Sequence, residues 1–77
     1  MKYIATFFTH SGAIGFSRAL TKNNIENETL PVPRKLSSNC GIGVSFHYED
    51  HIDNLHSDDM EKLFITKDGE YQLIKEF

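Results

Sequence analysis

The chain has 77 residues, a net charge of −3 and one cysteine. That length holds a single domain with one small core, and residues 1–77 read as one unit without repeats, low-complexity tracts or linkers. The lone Cys excludes an internal disulfide and a Cys-rich zinc site, leaving homodimerisation as the open route to extra burial. The acidic balance speaks against nucleic acid as a partner, and no apolar run reaches membrane-spanning or secretory-signal length, so a cytoplasmic protein is expected.

Tyr3 to Phe8 is β-branched and aromatic, with apolar residues on both phases of a period-2 pattern, which predicts a central first strand. Thr9 to Gly12 breaks this run. Ser11 is then a suitable N-cap for a helix with Ala13, Phe16 and Leu20 on one stripe, fading at Asn23 and Asn24. Glu28 to Val32 reads as a short strand. Pro31 and Pro33 each lack an N–H, which confines it to a sheet edge or a strand end.

Residues 33–40 form a polar, cationic loop, and three consecutive polar residues, Ser37, Ser38 and Asn39, favour its exposure. Ile42, Val44, Phe46 and Tyr48 then alternate with Gly43, Ser45 and His47, predicting a strand with one core face and one nearly bare face. Asp50 and Asp53 in a capping arrangement, with Ile52 and Leu55 as a short stripe, predict a helix of about two turns before Ser57. Lys62 to Lys67 and Glu70 to Glu76 flank Asp68-Gly69, a dipeptide suited to a tight hairpin turn. The predicted order matches an α+β fold: a ferredoxin-like split β-α-β sandwich with a C-terminal β-hairpin extension.

Cys40 is the candidate reactive group. Arg34 and Lys35 precede it in the loop and Gly41 follows, and nearby cations lower a thiol's pKa and favour the nucleophilic thiolate. The alternative is a small buried hydrophobe at a strand start, because free Cys is among the most buried residue types. Pro31 and Pro33 either hold the loop entrance extended or simply end a strand.

His47, His51 and His56, with Cys40 as a sulfur ligand, do not share one helix face, so no metal site is assigned. His10 reads as a solvated or helix-start histidine more readily than as a base for Cys40. Asp58, Asp59 and Glu61 read as a solvated face or turn. No residue set supplies a separate acid, base or cofactor site, which fits a carrier better than a turnover enzyme.

The run LPVPRKLSSNCGIGV, Leu30 to Val44, together with the opening strand and an alanine-bearing first helix, resembles the small family of selenium/sulfur carrier-like proteins. Its distinctive residues are Pro31, Pro33, Arg34, Ser37, Ser38, Cys40 and Gly41. Two features depart from the family pattern: Phe16 and Ser17 replace an acidic residue expected in the first helix, and the second helix is about a turn short. The resemblance implies that Cys40 holds sulfur or selenium as a persulfide or selenopersulfide. Donor and acceptor proteins are then the expected partners, with Arg34, Lys35, Ser37, Ser38 and Gly41 around the bound atom and no cofactor. The rival expectation is a noncatalytic ligand- or protein-binding regulatory module in which Cys40 is structural.

Overall fold

A computed structural model describes residues 1–32, 36, 41–55 and 57–77. The elements are β1 (Lys2–Phe7), α1 (His10–Lys22), β2 (Asn27–Pro31), β3 (Ile42–His47), β4 (Met60–Lys67) and β5 (Glu70–Glu76), with a three-residue 3-10 turn at Ile52–Asn54 between β3 and β4. Among the described residues they form an α+β fold with one α-helix against a five-stranded sheet of order β2-β3-β1-β4-β5. Every neighbouring pair is antiparallel. None of the described helices is long and apolar enough to cross a membrane.

The second expected helix is replaced by the 3-10 turn. Asn54 N donates to His51 O and Leu55 N to Ile52 O, both at 3.0 Å, so the backbone closes with i→i+3 bonds in a segment too short and too rich in Asp, Asn and His to propagate an α-helix. Ile52 and Leu55 still pack against the main core. The apolar stripe was a burial signal without being a helix signal.

The first strand and helix follow from their patterns. In β1, Tyr3, Ala5 and Phe7 face α1, where Ala13, Phe16 and Leu20 complete the cluster with Val44, Phe46, Met60 and Leu63. Ile4, on the other phase of β1, joins Leu36 and Phe64 on the opposite sheet face. Both faces of β1 are therefore covered. The alternation at residues 42–47 places Val44 and Phe46 in the core, and Asp68 and Gly69 take positive φ angles of 53° and 78° in the β4–β5 turn. At its C-terminus α1 gives way to Asn23 and then Asn24, whose φ is 61°.

The helix begins earlier than the sequence suggested. Its N-cap is Thr9 rather than Ser11, with Thr9 Oγ1 accepting from Gly12 N at 3.0 Å. Asp59 decides this from a distance in sequence: its Oδ2 accepts from both Thr9 N at 2.9 Å and Thr9 Oγ1 at 2.6 Å. A carboxylate at the first turn also complements the helix dipole. Asp59 is thus a tertiary cap and not merely part of a solvated acidic face.

Gly12 leaves room for that carboxylate. A Cβ at Gly12 would lie 1.9 Å from Asp59 Oδ2, whereas a Cβ at Gly15 would meet nothing within 4 Å. Gly12→Ala is expected to destabilise the protein by about 1–3 kcal/mol through overpacking. Gly15→Ala, on the exposed side of the same helix, should stabilise it by about 0.5–1 kcal/mol. Urea unfolding of both variants checks the pair, and equal shifts of the same sign would contradict this view of the cap.

Candidate functional site

The segment bearing the sequence-predicted site joins edge strand β2 to β3. Their ladder runs from Asn27↔Phe46 to Pro31↔Ile42, and beyond it Val32 N donates to Gly41 O at 2.9 Å. Pro31 ends β2 at the sheet edge, as its missing N–H requires. Gly41 has φ +74°, a left-handed conformation that glycine adopts without a Cβ penalty. These bonds clamp the two ends of residues 33–40 together.

Leu36 supplies a third fixed point. It is 6% exposed and packs with Ile4 and Phe64, with Leu30, Val32 and Tyr71 partly buried around them. Sequence reading placed Leu36 in a polar loop and missed this anchor. The signal was its isolation as the one large apolar residue between Val32 and Cys40.

Among the predicted site residues, Pro31 and Gly41 therefore stand at the two sides of the clamp. Pro33, Arg34, Lys35, Ser37, Ser38 and Cys40 lie outside the described residues, as does His56. Of the other histidines, His10 opens α1, His47 ends β3 and His51 precedes the 3-10 turn. Among the described residues no three His, Cys, Asp or Glu side chains converge on a metal-sized space.

The face of the sheet opposite α1 carries more than the bare phase of β3 suggested. Gly43 is buried, and a Cβ there would lie 2.9 Å from Ala5 O and 3.0 Å from Val32 Cγ2. The absent side chain lets Val32 settle against the sheet at the base of the clamp. Gly43→Ala is expected to cost about 1–3 kcal/mol and to speed hydrogen exchange at the Val32 amide. An unchanged exchange rate would show that the contact does not hold the clamp.

Opposite Gly43 in the β1–β3 register sits Thr6, fully buried, whose Oγ1 has no hydrogen-bond partner among the described residues. A buried hydroxyl left unpaired costs about 1–3 kcal/mol. It stands at the same end of the sheet as Gly41. At the other end, Glu49 pairs with the N-terminal ammonium of Met1, and this hydrogen bond, aided by the ammonium's charge, holds the Glu49 carboxyl below its ordinary range. A lowered carboxyl pKa contributes stability above the ordinary Glu range and loses it as the pH falls through the folded value. Since Glu49 is fully exposed, that contribution is small.

Comparison with known proteins bears directly on this segment. Residues 2–57 match the family model described as "Putative Se/S carrier protein-like". The chain belongs to this family. The match takes in β1, α1, β2, the whole clamped segment with Cys40, and β3, while the β4–β5 hairpin lies beyond it. No curated protein and no solved structure matches the chain.

Proposed function

We propose that the protein is a sulfur or selenium carrier in which Cys40 holds the transferred atom as a persulfide or selenopersulfide. The observation that carries this reading is the family match, whose span includes the chain's only cysteine. The clamp between Val32 and Gly41 supports it, because a fixed frame lowers the entropy lost when a reactive loop meets its partner.

In the loading step the Cys40 thiolate attacks the outer sulfur of a donor persulfide. The new S–S bond forms as the donor's S–S bond breaks, and the donor leaves as a thiolate. In the unloading step an acceptor thiolate attacks the outer sulfur on Cys40, which leaves as thiolate again. Charge and atoms balance in both steps, and no cofactor enters. Arg34 and Lys35 stabilise the anion, while Ser37, Ser38 and the Gly41 N–H supply hydrogen bonds to the outer atom.

The protein then works as a cytoplasmic shuttle between a donor and an acceptor protein, with homodimerisation compatible with its small core. We read its strand order as a ferredoxin-like frame that has lost the second helix. Thiol reactivity against pH tests the reading. Alkylation of wild type should level off below the unperturbed thiol pKa of about 8.5. A rate that stays negligible until denaturant is added would assign Cys40 to the core and overturn the carrier role.

A further inference from the structure

On the sheet face opposite α1, two adjoining depressions of about 150 Å³ and 80 Å³ share Lys2, Glu28 and Ser45 in their walls. The antiparallel registers explain the grouping. Ser45 pairs with Ile4 on one side and Glu28 on the other, and Lys2 pairs with His47, so residues from β1, β2 and β3 meet on one face.

Ser45 is 7% exposed, and its side chain makes no hydrogen bond among the described residues. Its hydroxyl opens on both depressions, where it can donate to or accept from a group seated between the three strands. Lys2 and Glu28 are exposed on either side, and although they share both depressions they form no ion pair with each other. Opposite charges are thus held apart across a hydroxyl. The smaller depression is also lined by Ile4 of β1, Leu30 of β2, Thr66 of β4 and Tyr71 of β5.

We propose that this face binds the zwitterion of an α-amino acid with a short uncharged side chain. Its carboxylate accepts from Lys2 Nζ and Ser45 Oγ, its ammonium donates to Glu28, and its side chain rests on Ile4 and Leu30. Glu28 and Glu26 beside the larger depression disfavour a simple anion, and Lys2 disfavours a simple cation. His47, next to Lys2, adds a third donor on the carboxylate side. Lys2 stands four residue steps, about 13 Å, along β1 from Thr6, while Ile4 and Leu30 also pack around the clamp's anchor Leu36. The contacts proposed for the amino acid do not involve Cys40.

The test is an amide-resolved NMR titration of the full chain with L-alanine, alongside propionate, which lacks the ammonium, and ethylammonium, which lacks the carboxylate. Alanine should give saturable shifts at Lys2, Glu28, Ser45 and His47, and neither fragment should reproduce them at the same concentration. Lys2→Met and Glu28→Gln, both at exposed positions, should each weaken binding about tenfold, the loss of one charge-assisted hydrogen bond. Cys40→Ser should bind alanine as wild type does, so failure of the carrier reading leaves this result untouched. The proposal is overturned if alanine gives no saturable shift at tens of millimolar. It is also overturned if propionate or ethylammonium alone reproduces the shifts, marking a simple ion site, or if both charge variants bind unchanged.

Discussion

Replacing Phe46 by alanine should remove most of the protein's stability. Phe46 is 1% exposed on β3, and its ring stacks on Tyr3 of β1 at 5.5 Å and meets Phe16 of α1 edge-on at 5.6 Å. Phe16 in turn lies 5.2 Å from Phe7. One ring therefore ties the central strand, its neighbour and the helix together.

Truncating a buried Phe costs about 3–5 kcal/mol, while a domain of this length has on the order of 4–12 kcal/mol in total. Urea unfolding followed by circular dichroism should show the transition of Phe46→Ala moved to very low denaturant or lost. Phe8→Ala is the control, since Phe8 lies just past β1 and is 43% exposed. Its midpoint should shift little. Equal shifts for the two variants would contradict the assignment of the core.

The second large effect concerns Cys40→Ser, which should abolish sulfur uptake outright. A persulfide needs a thiol, and this chain has only one, so no other side chain can substitute. Incubation of reduced protein with a cysteine desulfurase and cysteine should add one sulfur to the intact mass of wild type, reversed by excess dithiothreitol. The serine variant should gain nothing. Because serine is close in size to cysteine, the variant should also keep its unfolding midpoint near that of wild type, which separates lost chemistry from lost structure. Equal gain in both proteins would mean that sulfur is held elsewhere, and gain in neither would favour a binding module in which Cys40 is structural.

The elements that local pattern specifies were legible in the sequence. The Ala13, Phe16 and Leu20 stripe, the alternation from Ile42 to Phe46 and the Asp68-Gly69 turn each carry their geometry within a few residues. What escaped depends on partners distant in the chain. The cap fell on Thr9 rather than Ser11 because Asp59 is fifty positions away. The segment around Ile52 has helical spacing but is too short to propagate, so 3-10 bonding suffices once Ile52 and Leu55 are buried.

Site residues divide in the same way. Cys40 and its flanking Pro-x-Pro-Arg and Ser-Ser-Asn-Cys-Gly residues lie in one short stretch of chain, so they are legible in the sequence itself. Lys2, Glu28 and Ser45 come from three strands, and only the register of β1 and β2 against β3 brings them together. A one-residue change in the β1 or β2 register would send Lys2 or Glu28 to the helix face. Leu36 shows the reverse case: composition put it in a polar loop, while its burial against Ile4 and Phe64 makes it an anchor of that loop.

A carrier must release what it holds as readily as it takes it up, and cyanolysis of the loaded protein measures this directly. Cyanide attacks the outer sulfur of a persulfide, releasing thiocyanate and leaving the Cys40 thiolate. Loaded wild type should yield one thiocyanate per chain while its intact mass returns to that of the unloaded protein, and Cys40→Ser taken through the same loading should yield none. Thiocyanate released equally from the serine variant, or no thiocyanate from wild type after exposure to the donor, would contradict the assignment of Cys40 as the sulfur-bearing residue.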